Sequence, residues 1–325
     1  MFLPASRAAR RRACAAAFIL ATLVLSGCAG PSGEAQSGAA GCQVRQVADL
    51  PVTISNGFVL VPGTIDGQDM PLLVDTGAEI TLVSAEAAAR LGLPSDPARR
   101  ASLEGVGGRV VGPSVLVRQF QVGGITLRDR ELPVGMLPRL PDPALGGTAA
   151  PIGAILGADF LSAVDVEFDL PRRRMSLYRV SGCRGRFLPW QGAYSAQRLR
   201  RQRRDRMMLQ VQIDGHDVTA LFDTGANRSV LGTQAAERSG LTVAMLAHDP
   251  VGHSRGIDAA DVPFRDHRFA EVRIGSEAFR SLPLDIADLH LHGEEMLLGA
   301  DYLRLRKVWL SYATDQLFVQ PERLR

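Results

Sequence analysis

The sequence predicts an all-β protein made of two related lobes with minor helix, and three observations carry that reading. The stretch LLVDTGAEITLVS, Leu72 to Ser84, returns as ALFDTGANRSVLG, Ala220 to Gly232, and at the same shift of 148 positions Ile65–Ala78 (IDGQDMPLLVDTGA) lies over Ile213–Ala226 (IDGHDVTALFDTGA). A second match, ILGADFL from Ile155 and LLGADYL from Leu297, sits at a shift of 142, so the repeats differ by a few loop residues. The runs between these landmarks are short, apolar or alternating, and punctuated by Gly and Pro, the pattern of strands. With 325 residues, 46% of them hydrophobic, the chain is long enough for two ordinary cores.

Taken in order, each half begins with a run ending in Asp-Gly, VPGTIDG and MLQVQIDG, a hairpin signal whose return strand delivers an aspartate to a sharp Thr-Gly turn. Further strands are expected at Val115–Val122, Val164–Leu170, Arg268–Ile274 and Lys307–Tyr312. Short helices are expected only at Ala85–Leu91 and Thr233–Ser239, capped by Ser84 and Thr233 and stopped by glycine. The expected partition is a leader at 1–27, a tether at 28–46, a first lobe at 47–183, an arginine-rich linker at 184–206 and a second lobe at 207–325. Within the linker, RLRRQRRDR (Arg198–Arg206) reads as a solvated stretch or, alternatively, as a contact for anionic lipid.

The leader places Arg7, Arg10, Arg11 and Arg12 before an apolar run, Ala13–Leu25, that is short for a bilayer span. Leu25-Ser26-Gly27-Cys28 resembles the lipobox of bacterial lipoproteins. The resemblance implies cleavage before Cys28, its lipidation, and anchoring in the bacterial cell envelope, with Ala29 favouring the outer membrane facing the periplasm. An ordinary secretory signal is the alternative. The small, polar residues that follow suit a flexible tether. Of four cysteines, Cys14 leaves with the leader and Cys28 takes lipid, so Cys42 and Cys183 remain. In an oxidising compartment they are expected to form a disulfide, the alternative being two buried thiols. A net charge of +3 and 6% aromatics make no case for a nucleic-acid surface.

A carboxylate on a tight turn beside glycine gains backbone N–H donors and an open approach for substrate. If the halves pack about a pseudo-twofold axis, Asp75 and Asp223 meet there and cannot both ionise. They share one proton, and the pair can act as general base toward water and general acid toward a carbonyl oxygen. Thr76 and Thr224 offer hydroxyls that can tie the turns together. Each half thus supplies Asp-Thr-Gly-Ala: Asp75, Thr76, Gly77 and Ala78, then Asp223, Thr224, Gly225 and Ala226.

These motifs, with Ile155-Leu156-Gly157 and Leu297-Leu298-Gly299 downstream, resemble bacterial retropepsin-like aspartic proteases, two such units being fused in one chain. The resemblance runs from about Val47 to Val319. It implies the acid-protease fold, peptide hydrolysis by water activated between two aspartates, a peptide or protein substrate, and a monomer that is its own pseudo-dimer. It also implies flaps over the cleft: Gly105, Val106, Gly107 and Gly108 in the first half, and a segment poorer in glycine, with Gly256 and Ile257, in the second. Retroviral relatives carry an arginine after the supporting glycine that pairs with an acid beyond the catalytic loop. Ala158 and Ala300 stand there, facing Glu79 and Asn227, so that ion pair is not expected.

No metal and no organic cofactor is expected, since His248, His253, His267, His290 and His292 show no zinc-site spacing. The competing function is a non-catalytic lipoprotein of the same fold that binds peptide or an envelope polymer.

Overall fold

The computed structural model describes residues 41–105, 108–141, 147, 149–255, 261–289 and 293–321, and the expected strands are all present there. Cys28, Val106, Gly107, Gly256, Ile257, His290 and His292 lie outside the described residues. Each half builds its own eight-stranded sheet. In the first, Phe58–Ile65 and Gln68–Val74 form the expected hairpin across Asp66-Gly67, both at positive φ (47° and 81°) as a tight two-residue turn requires. Asp214 and Gly215 repeat this at 47° and 84° between Met207–Ile213 and His216–Phe222. The turn aspartates do more than bend the chain. Asp66 Oδ1 accepts from the Gln119 N–H at 2.7 Å and Asp214 Oδ1 from the Glu271 N–H at 2.7 Å, fastening each hairpin to a long strand of its own sheet. Those strands, Gly108–Val122 and Asp261–Ile274, fold back on the hairpins (Thr64 opposite Gln121, Val211 opposite Ile274), so each sheet curls on itself around an apolar core.

The two halves share a third sheet. Its order is Gln43–Pro51, Arg174–Ser181, Asp165–Asp169, Arg306–Ser311, Gln316–Pro321, Ser195–Arg198. The seam between halves is the antiparallel pair Asp165–Asp169 and Arg306–Ser311, with Val166 opposite Leu310 and Phe168 opposite Val308, all fully buried. The stretch after Cys183 covers the outer side of this sheet. Phe187, Leu188, Trp190 and Tyr194 pack over Tyr178, Trp309 and Phe318, and Tyr178 stacks on Trp309 with centroids 4.3 Å apart. The indole N–H groups beneath are satisfied: Trp190 donates to Glu167 at 2.7 Å and buried Trp309 to Asp165 at 2.9 Å.

Helix is minor, with corrections in detail. Ala85–Leu91 is capped as expected by Ser84, whose hydroxyl accepts from the Ala87 N–H at 3.0 Å, and Gly92 closes it at φ 57°. The second helix, Thr233–Arg238, is entered through Gly232 without a side-chain cap, so Thr233 is its first residue and not its cap. Two further short helices, Ala158–Leu161 and Val243–Leu246, were not expected from the sequence. The first follows the supporting glycine directly and the second is a single turn capped by Thr242, each too brief to leave an amphipathic period.

The arginine-rich stretch is not a loose linker. Ser195–Arg198 and Arg200–Arg201 are strands, a 3₁₀ turn spans Arg203–Asp205, and several arginines are held by acids. Arg201 pairs with Asp205 at 2.9 Å and Asp315 at 2.8 Å, and Arg206 pairs with Glu294 at 3.0 Å. Arg198, Arg200, Arg201, Arg203 and Arg204 stay exposed, as a solvated stretch would, while Arg201, Arg204 and Arg206 also meet carboxylates from within the run and from distant segments.

Cys42 and Cys183 are joined, with Cα atoms 4.3 Å apart, and the bond clamps Gln43–Pro51 to Arg174–Ser181 where those strands pair. It spans 141 residues, so chain-entropy reasoning gives it roughly 3–5 kcal/mol. Peptide mapping after alkylation is expected to find Cys42 and Cys183 modified only after reduction. Removal of both by Cys→Ser should lower denaturant stability by roughly that amount, and alkylation of either in unreduced protein would refute the bond.

Candidate active site

The local fold explains why an aspartate ends each hairpin. Gln68–Val74 runs parallel to Ala154–Leu156, which in turn runs antiparallel to Leu82–Ser84, so the supporting segment fills the gap left where the chain turns away at Asp75. The second half repeats this with His216–Phe222, Met296–Leu298 and Val230–Gly232. The Asp75 N–H donates to the Leu156 carbonyl at 3.0 Å and the Asp223 N–H to Leu298 at 2.9 Å. A Cβ on Gly157 would run into the backbone of Ile80 and Thr81, and one on Gly299 into the backbone of Arg228 and Ala226. The apolar-apolar-glycine motif is therefore a close-approach requirement, with glycine where two backbones touch.

At the axis between the halves the two threonines exchange hydrogen bonds. The Thr76 N–H donates to Thr224 Oγ1 at 3.1 Å and the Thr224 N–H to Thr76 Oγ1 at 3.0 Å. The hydroxyls donate onward across the axis, Thr76 to the Phe222 carbonyl at 2.6 Å and Thr224 to the Val74 carbonyl at 2.7 Å. Both side chains are fully buried. Gly77 and Gly225 bring the aspartates together: a Cβ on Gly77 would collide with the Asp223 carboxyl, and one on Gly225 with that of Asp75.

Each aspartate is held by its own loop. Asp75 Oδ1 accepts from the N–H groups of Gly77 (3.0 Å) and Ala78 (2.8 Å), and Asp223 Oδ1 from those of Gly225 (2.9 Å) and Ala226 (3.3 Å). Each carboxyl also lies against the glycine of the opposite loop, which places the two face to face at the axis. Burial pushes both above the ordinary carboxylate range, against the lowering effect of the loop N–H donors. Asp223 is raised further, because the charge of Asp75 adds to burial. One proton is thus retained by the pair, and the titration belongs to the pair and not to either aspartate.

Two features of this site were missed in the sequence. Asp159 and Asp301, each two residues beyond a supporting glycine, tie that segment to the exit of the catalytic loop. Asp159 Oδ1 accepts from the Thr81 N–H and hydroxyl, both at 2.7 Å, and Asp301 accepts from the Ser229 N–H (3.0 Å) and hydroxyl (2.7 Å). Their repetition in GADFL and GADYL was the signal available. The second concerns Glu79. With alanine at 158 it was expected to lack its arginine, yet Arg204 reaches it at 2.9 Å and Arg206 at 3.8 Å, both from the arginine-rich stretch. The pair with position 158 is absent, as Ala158 requires, and Glu79 is instead held by these two arginines. The other half differs: Asn227 donates to the Asn56 carbonyl at 2.9 Å.

Ser95–Gly105 and Gly108–Val122 form a hairpin where the first flap was expected, paired out to Gly105 opposite Gly108. Val251–Arg255 pairs with Asp261–Ile274 in the corresponding place of the second half. Among the described residues no group of His, Cys, Asp and Glu is arranged to hold a metal. His253 and His267 contact Asp261 and Asp249 instead.

Comparison with known proteins agrees with this geometry. The aspartyl protease family model matches the chain twice, at residues 61–160 and 209–302, once on each repeat, and the chain belongs to this family of aspartic-type peptidases. It is also similar to DNA damage-inducible protein 1 of Chaetomium globosum, 31% identical over 114 residues, which cover 35% of this chain and 24% of that protein. The protein of the same name from Yarrowia lipolytica is 31% identical over 121 residues, covering 37% and 29%. The match therefore spans about a quarter of the length of these relatives. They are eukaryotic, and the likeness supports neither a bacterial setting nor a lipid anchor.

Replacing Thr224 with Val removes the hydroxyl that accepts from Thr76 and leaves the Thr76 N–H and Val74 carbonyl buried without it. Urea unfolding should show a loss of about 2–4 kcal/mol, and the mirror change Thr76→Val a similar one; a loss within about 0.5 kcal/mol, the range of surface substitutions, would show that the exchange does not hold the halves.

Proposed function

We propose that this chain is an aspartic endopeptidase in which one polypeptide supplies both catalytic aspartates. The observation that carries the proposal is the apposition of Asp75 and Asp223 at the axis, each fixed by two N–H donors of its own loop. The ionised member of the pair takes a proton from a water molecule between the carboxyls as that water attacks the scissile carbonyl carbon. Its protonated partner gives a proton to the carbonyl oxygen, and the resulting tetrahedral diol collapses as the proton taken from water passes to the amide nitrogen, which leaves, while a diol hydroxyl returns its proton to the dyad. Neither aspartate becomes covalently attached. Because both come from one chain, a monomer suffices, and a peptide or protein is the substrate.

The leader at residues 1–27 and the cysteine after it support a cell-envelope setting with Cys28 as the lipidated mature N-terminus, anchoring the enzyme to the bacterial outer membrane on its periplasmic side. That part of the proposal rests on sequence alone. Labelling cells with an alkyne-bearing fatty acid tests it: wild-type protein should be labelled and Cys28→Ala should not, whereas labelling of both or neither would exclude Cys28 as the anchor.

Asp75→Asn and Asp223→Asn should each lower turnover of a cleaved peptide by about three orders of magnitude or more while the fold persists, as the loss of half an acid–base pair requires. Substantial activity in either variant would sink the mechanism.

The pH dependence follows from Ala78 and Ala226. A serine at either place adds a hydroxyl that can donate to a catalytic carboxylate and stabilise its charged form. Without it, burial holds the pair's upper ionisation high, and activity is lost only as pH rises through that value, when the shared proton leaves. Wild type should work best at mildly acidic to near-neutral pH, and Ala78→Ser or Ala226→Ser should move the alkaline limb of the kcat profile downward. An optimum in strong acid, or an upward move in the serine variants, would contradict this origin of the pH range.

A further inference from the structure

The pseudo-twofold axis superimposes the catalytic loops but not the residues beside them. Ile80 and Arg228 occupy equivalent places, each two residues beyond the alanine whose N–H binds a catalytic carboxylate. Strand register extends the comparison. Val83 lies opposite Val134 in the first half, as Leu231 lies opposite Ile286 in the second, so Pro133 corresponds to Asp285. Their antiparallel partners, Ser114 and Asp266, correspond in turn. Where one half places Ile80, Ser114 and Pro133, the other places Arg228, Asp266 and Asp285.

The guanidinium of Arg228 is fixed on one side and open on the other. Its Nη2 donates to Asp285 at 2.6 Å and to Asp266 at 3.1 Å, and the group lies over the Phe264 ring at 5.8 Å from the centroid. Phe264 and Asp266 belong to Asp261–Ile274, the strand that leads away from the second flap position, so Arg228 bridges the loop exit and the flap stem. Asp285 is buried, with 4% of its side chain exposed, while 43% of the Arg228 side chain is exposed. Among the described residues Nε and Nη1 have no partner. Held by a buried acid, an aromatic face and a second acid, this donor edge loses little freedom when a ligand arrives.

Charge decides what fits it. One arginine with two aspartates carries a net negative charge, so an incoming carboxylate meets repulsion from Asp266, and an ammonium has no lone pair for an N–H donor. A carboxamide oxygen accepts from the guanidinium with neither difficulty. In the other half Ile80 packs in an apolar cluster with Leu73, Leu82, Ile155 and Ala78, offering dispersion contact and no donor.

We propose that Arg228 is a specificity-determining residue: its free guanidinium edge binds a carboxamide side chain, Gln or Asn, on one side of the scissile bond, while Ile80 selects an apolar side chain on the other. The unequal cleft thereby sets the direction in which an extended peptide lies across an otherwise symmetric dyad. This rests on the peptidase reading above.

The test is a set of peptides sharing one cleavable core, with Gln, Glu, Leu or Lys placed at each flanking position in turn, and kcat/KM measured for each. Wild type is expected to prefer Gln over Leu by about tenfold on one side only, the worth of a hydrogen bond to a charged group, with Glu and Lys both below Gln there. Because Arg228→Ile would strand buried Asp285, the variants are Arg228→Lys, which keeps the charge and loses the planar edge, and the double change Arg228→Ile with Asp285→Asn. In both, the Gln-to-Leu ratio should fall toward one, a ratio that loss of folded enzyme does not move. Equal preferences on the two sides, Glu or Lys ranking above Gln, or an unchanged ratio in both variants would overturn the assignment while leaving the peptidase reading intact. Absence of cleavage of every peptide would remove the peptidase reading and this inference with it.

Discussion

The exchange of hydrogen bonds between Thr76 and Thr224 is the constraint on which the site depends. Two carboxylates will not approach each other unaided, because each loses hydration and repels the other when charged. The buried threonine lattice fixes both loops to a common axis, and each hydroxyl both accepts from the opposite N–H and donates to a carbonyl across the axis. No group in it is left unsatisfied, so the loops are held tightly at little desolvation cost. Gly77 and Gly225 then allow the facing aspartates to come within reach.

Around this centre the two halves are joined in ways a pair of separate subunits would have to achieve by association. The shared six-stranded sheet places its seam between Asp165–Asp169 and Arg306–Ser311. The stretch that links the halves in sequence also covers that sheet with aromatic side chains and then sends Arg204 and Arg206 to Glu79. Covalent linkage makes each of these contacts intramolecular, which removes the concentration dependence of a dimer. It also frees the halves to diverge, since a change in one is no longer copied into the other.

That freedom is visible wherever the pseudo-symmetry fails. Glu79 sits under arginines while Asn227 binds a backbone carbonyl. The first half alone, among the described residues, carries the ribbon of Arg139–Pro141 and Ala149–Pro151, inserted before its supporting segment. The second half places Arg228, Asp266 and Asp285 in contact where the first has Ile80, Ser114 and Pro133 at the equivalent positions. The loops at the axis stay alike because both aspartates must meet the same geometry, whereas the residues around them are under no such demand.

The sequence by itself determined the duplication, the Asp-Gly hairpins, the helix after Ser84 and both Asp-Thr-Gly loops, because each is a local demand: a turn needing positive φ, a cap, a backbone approach that only glycine permits. It also held the pairing of Cys42 with Cys183, through counting. Only the tertiary structure decided which acids the arginines of Arg198–Arg206 would meet, that Glu79 would find its cations among them, and that Arg228 would be locked between Asp285 and Asp266. Apart from Asp205, four positions from Arg201, those hydrogen-bonded partners lie from 38 to 125 positions apart in sequence. Local pattern shows that a charge is present, but its partner is set by strand register and packing, which long-range contacts create.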